Sequence, residues 1–109
     1  MIMSVQRTEF TDINFDAEIS EGLSVVCFEE PLDHDCRKQA EIIEKAANEI
    51  EAQIKVGKCD VENCFALAQR FRVISIPTTI VFKDGKEVER LAGFRHEFTL
   101  VKHLKEDIG

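Results

Sequence analysis

Leu23-Ser24-Val25-Val26-Cys27-Phe28 is a short apolar run rich in β-branched residues, with no helical period, and predicts a strand buried on both faces, as in parallel sheets. A polar loop with Pro31 follows, over Glu29 to Asp35. Ala40, Ile43, Ala47, Ile50 and Ile54 then recur every three or four residues, which predicts an amphipathic helix from about Cys36 to Lys55. Val56 to Val61 reads as a second short strand. Asn63 is placed to cap a helix carrying Phe65, Leu67, Ala68 and Phe71. Thr78 to Phe82, the turn Lys83-Asp84-Gly85-Lys86 and the alternating run Glu87 to Leu91 predict an antiparallel hairpin. Leu100, Val101, Leu104 and Ile108 mark a last helix over Phe98 to Ile108, with Thr99 near its start. Upstream, Asp12 to Glu21 is patterned loosely enough for a short helix ended by Gly22, and the residues before it read as a polar start. No repeat, linker or low-complexity segment interrupts the chain. The order βα, βα, hairpin, helix implies an α/β domain: a mixed sheet with helices on both faces.

Composition narrows the possible partners. With 109 residues, eight Phe and 44% hydrophobic content, one domain spanning residues 1–109 can bury a single core. A net charge of −7 repels phosphate backbones and anionic lipid, so neither nucleic acid nor a membrane surface is expected as a partner. Met1 to Phe15 carries Gln6, Arg7, Glu9 and Asp12 and lacks the apolar stretch of a secretory signal; the expectation is a cytoplasmic monomer.

The cysteines, at 27, 36, 59 and 64, are even in number, but two lie in apolar runs where a free thiol acts as a small hydrophobe, so a disulfide scaffold is not expected. Cys59 and Cys64 are too isolated a pair for structural zinc. Asp33-His34-Asp35-Cys36 contains oxygen, nitrogen and sulfur donors, with His96 a conceivable fourth, but consecutive side chains diverge. The competing reading is an acidic loop in which Asp33 or Asp35 caps the following helix. Neither a metal nor another cofactor is expected, and His96 and His103 read as surface residues.

Val73-Ile74-Ser75-Ile76-Pro77-Thr78, then Val81-Phe82-Lys83-Asp84-Gly85-Lys86, then Ala92-Gly93, resembles the second half of thioredoxins, and the match extends back through Lys58 to Asn63 and the long helix. The resemblance implies the thioredoxin fold, a cis Pro77, and protein or peptide thiols and disulfides, or a partner protein, as the binding partners. It also implies a substrate groove formed by Phe28, Ser75, Ile76, Pro77 and Gly93.

The same resemblance exposes what is altered. Thioredoxins open the long helix with Trp-Cys-Gly-Pro-Cys, where the helix dipole favours a thiolate. Here the loop is Glu29 to Cys36 with one cysteine. Counted back from Pro77, Cys36 takes the second, resolving position and Asp33 that of the nucleophile; counted forward from the strand, the loop holds one residue too many. Val26 stands where the family carries a buried Asp beside Lys58, and Phe28 replaces the usual Trp. Cys27 and Cys59 are expected to share a sheet face as free thiols, and Cys64, like an extra cysteine of animal thioredoxins, to be exposed.

Two functions follow. One is a redox protein with weak or absent dithiol activity, Cys36 acting as a monothiol that needs an outside thiol for release. The other is a binding module that adds an extended peptide to the edge at Ser75 and Ile76, which needs no cysteine. Cys36 as a leftover small residue, and Ile76-Pro77 as a plain turn, are the bland alternatives.

Overall fold

The computed structural model describes residues 5–108. Five strands form one mixed sheet in the order β1-β3-β2-β4-β5: β1 Val5–Glu9, β2 Leu23–Glu29, β3 Ile54–Asp60, β4 Thr78–Lys83 and β5 Lys86–Ala92. Four helices connect them: α1 Phe15–Ile19, α2 His34–Asn48, α3 Phe65–Arg70 and α4 Glu97–Ile108. β1 and β2 flank β3 in parallel, while β4 runs antiparallel to β2 and β5 to β4. This is the α/β thioredoxin fold.

Alternation along the strands divides the core in two. Leu23, Val25, Cys27, Ile54, Val56 and Val81 face α2 and α4, packing on Ile43, Ala46, Ala47, Leu100 and Leu104. Val26, Phe28, Cys59, Ile80 and Phe82 face the other way, toward Phe10, Phe15, Ile19 and Leu67. Phe71 joins Phe15, Phe28 and Phe82 there, with ring centroids 5.3–6.3 Å apart in tilted or edge-on contact. Every residue of β2 is buried, as its unbroken apolar run implied.

The boundaries differ from expectation where tertiary pairing overrides local pattern. Ile54 continues the helical spacing of α2, yet it belongs to β3, paired to Val5 and Leu23; α2 ends at Asn48. The polar start contains a strand. Val5–Glu9 has little alternation to betray it, and its pairing with β3 rests on Gly57: a Cβ there would meet the Thr8 carbonyl oxygen at 1.8 Å. Asp84 and Gly85, both at positive φ, turn the hairpin. Asn63 does not cap α3; Cys64 occupies that position without a side-chain cap, and Asn63 bonds to Asp60 instead. No helix among the described residues is long and apolar enough to cross a membrane.

Candidate functional site

The carboxyl end of β2, the start of α2 and the loops before β4 and α4 converge at one end of the sheet. Asp33 is the N-cap of α2, in extended conformation; its Oδ1 accepts from the Cys36 amide at 2.9 Å and its carbonyl from the Arg37 amide at 3.2 Å. That first turn fixes Cys36 pointing inward, and the residue is 0% exposed. Burial, with Asp33 and Glu29 adding negative charge, pushes its thiol up to about 11, and a hydrogen bond from the Glu30 backbone opposes the rise only in part. The Asp33 carboxyl is held below its usual value, chiefly by the Cys36 amide. His34 and Asp35, on the same turn, are exposed.

Across from this turn, the β2–β4 register pairs Phe28 with Thr78, so Pro77 comes to lie at the end of β2. The Ile76-Pro77 peptide bond is cis. Pro77 is buried, and its carbonyl accepts from the Gly93 amide at 2.8 Å. Ser75 and Ile76 are exposed; the Ser75 carbonyl accepts from Thr78 Oγ1 at 2.6 Å, while the Ile76 amide and carbonyl have no backbone partner among the described residues. Ile74 beside them is 96% exposed.

Gln39, which nothing in the residue pattern singled out, ties the two halves together. It is buried one turn beyond Cys36, its Nε2 donates to the Arg95 carbonyl at 3.0 Å, and its Oε1 accepts from the Arg95 amide at 2.6 Å. The nitrogen and the oxygen of this side-chain amide are thereby each paired, and the 93–96 loop is clamped to α2. Lys38 lies over the Phe94 ring, 5.8 Å from its centroid.

Four expectations need correction. Phe28 is fully buried on the sheet face opposite Cys36, among the aromatic residues, and presents nothing to a groove. Lys58 pairs with Cys27, not Val26, so the place beside Lys58 passes to Cys27 and the place two residues on, read as that of the Trp, to Glu29. Cys27 and Cys59 lie on opposite faces, because Cys59 is in register with Phe28. Cys64 is buried rather than exposed.

Glu29, expected in a polar loop, is the last residue of β2 and only 2% exposed. Its Oε2 stands 4.0 Å from Lys58 Nζ, and its Oε1 has no hydrogen-bond partner among the described residues. Burial raises this carboxyl above its usual range, opposed by Lys58 and reinforced by Asp60 and Glu9. Glu29 and Cys27 border a crevice of about 560 Å³ between α2 and the β1–β3 edge, with Arg7, Arg37 and Lys58 among its other walls. Asp33, His34, Asp35, Cys36 and His96 are not brought together: among the described residues no three or more His, Cys, Asp or Glu side chains gather as metal ligands.

Sheet order, the thiol on the first turn of α2 and the Pro77 loop facing it define a protein of the thiol–disulfide redox class. The family model of thioredoxin matches residues 6–106, and the chain belongs to the thioredoxin family. It is 34% identical to thioredoxin of Staphylococcus saprophyticus over 98 residues, covering 90% of this chain and 94% of that one. It is 35% identical to the thioredoxin of Staphylococcus haemolyticus over the same shares.

Proposed function

We propose that this chain is a thioredoxin-family protein whose own dithiol activity is weak or absent and whose retained task is to hold an extended peptide or partner segment at the groove beside Pro77. In this reading Asp33 stands in the place of the family's nucleophile and Cys36 in that of the resolving cysteine; placing Cys27, rather than Val26, beside Lys58 removes the extra residue from the loop count. The observation that carries it is the pairing of a fully buried Cys36 with a capping Asp33. A carboxylate cannot attack a disulfide, and a buried thiol held near 11 supplies little thiolate. The open amide and carbonyl of Ile76, flanked by exposed Ile74, support strand addition there, with exposed Ser75 beside them and the Gly93 amide bonded to the Pro77 carbonyl. Thioredoxins named as such among the relatives support protein disulfides or thiols as the partner class. Four free cysteines support a reducing, cytoplasmic setting, and the protein is proposed to act there as a single-domain monomer.

Insulin reduction by dithiothreitol tests this reading, comparing the native protein with Cys36→Ser and Asp33→Cys. The native protein and Cys36→Ser are expected to give the uncatalysed rate, and Asp33→Cys to exceed it, because the cysteine then sits at the helix N-cap three residues before Cys36. A native protein that accelerates reduction, with the gain abolished in Cys36→Ser, overturns the proposal in favour of a working monothiol.

A further inference from the structure

The two cysteines not used by this site meet on the opposite face of the sheet. β3 ends at Asp60, whose carboxylate accepts from the Glu62 amide at 2.9 Å and from Asn63 Nδ2 at 3.3 Å. Its carbonyl accepts from the Cys64 amide at 2.7 Å, so the chain folds back within four residues and returns Cys64 over the end of the strand. The Cys64 thiol then lies in the same buried aromatic layer as Cys59, where it donates to the Phe10 carbonyl at 3.3 Å. Each thiol perturbs the ionisation of the other, raising that of Cys59 and opposing the rise of Cys64, as two neighbouring sulfurs in one buried layer do. Both are free, and the covalent link that would join them closes only a short local loop.

We propose that Cys59 and Cys64 form a second redox site, an internal dithiol that a small hydroperoxide converts to a disulfide. Cys64 is the attacking group. It is the slightly less buried of the two, it borders the exposed residues Asn63 and Phe65 at the start of α3, and burial raises its thiol less far than that of Cys59. Its thiolate attacks one peroxide oxygen; an S–O bond forms, the O–O bond breaks, and hydroxide leaves and takes up a proton, giving a sulfenic acid and water. The Cys59 sulfur then displaces that hydroxyl; an S–S bond forms, and the hydroxyl leaves as a second water with the Cys59 proton. Two thiols and one H2O2 become one disulfide and two waters. Burial and the nearby Asp12 and Asp60 carboxylates oppose ionisation, which makes the site slow and selects a small neutral oxidant over a bulky one. Cys27 and Cys36 take no part, because they lie on the other side of the sheet.

Trypsin, cutting after Lys58 and Arg70, leaves both cysteines in one peptide, Cys59 to Arg70. The test is peptide mapping of the full chain after hydrogen peroxide, with iodoacetamide added under denaturing conditions. The expected result is that this peptide loses two hydrogens and takes up no label, and that prior dithiothreitol restores two labels. In Cys59→Ser the reaction is expected to stop at a Cys64 sulfenic acid trapped by dimedone. A native peptide that still takes two labels after peroxide sufficient to oxidise free cysteine overturns the proposal, as does a disulfide from either residue to Cys27 or Cys36; the native map decides even if the variant fails to fold.

Discussion

Asp33 caps α2 and charges the surroundings of Cys36 at once, and the two roles separate in Asp33→Asn. Asparagine keeps a side-chain oxygen for the Cys36 amide but removes the negative charge. In the native protein the thiol stands at about 11 against an ordinary 9.0. At pH 8 that reduces the thiolate fraction from about one in ten to about one in a thousand, roughly a 100-fold loss of reactivity before steric protection is counted. Burial is the largest cause of the rise and remains in the variant, so Asp33→Asn is expected to recover only part of the loss, a gain of about 3-fold to 10-fold in alkylation rate. Asp33→Ala removes cap and charge together and is expected to unfold at lower denaturant than Asp33→Asn. The assay is iodoacetamide labelling of folded protein between pH 7 and 10, with Cys36 followed by peptide mass. If native Cys36 reacts as fast as a free thiol at pH 8, or Asp33→Asn reacts no faster than native over the whole range, the electrostatic account of this turn is wrong.

Two further perturbations probe the scaffold. Gly57→Ala sets a methyl group against the Thr8 backbone and the Phe10 ring, neither of which can move without separating β1 from β3; a loss of at least about 3 kcal/mol is expected in urea unfolding, and an unchanged midpoint would contradict the packing. The Asp107 carboxyl, raised to about 6 by burial and by neighbouring Glu89, binds its proton more tightly folded than unfolded. The stability it contributes is therefore complete below about pH 4 and lost as the pH rises through 6. Because the group is partly exposed, the loss is expected to be about 1 kcal/mol, and Asp107→Asn should flatten the dependence of stability on pH between 4 and 7. Parallel slopes for native and variant would refute it.

Most of the architecture was legible from one-dimensional pattern. The unbroken apolar run of β2, the three-and-four spacing of α2 and the Asp84-Gly85 turn each express a local preference that tertiary contacts reinforce. β1 was not legible, because an edge strand in this sheet needs little hydrophobic alternation and is defined by the partner it finds. The helix-like spacing of Ile54 misled for the same reason: three-strand pairing of β3 outweighs one more turn of α2.

The site was legible only in part. Sequence alone determined that one thiol opens the long helix and that an acidic residue precedes it by three; the edge at Ser75 and Ile76 leading into Pro77 was implied by the family resemblance, beside the alternative of a plain turn. Side-chain direction had to wait for the tertiary structure, because a strand presents successive residues to opposite faces and a one-residue error in register exchanges them all. That register sends Phe28 away from the groove, sets Cys27 beside Lys58 in place of Val26, buries the Glu29 carboxyl and separates Cys27 from Cys59. The turn at Asp60 decides the rest: it returns Cys64, five residues along the chain, to the buried aromatic layer that holds Cys59, a placement fixed by backbone geometry rather than by residue type.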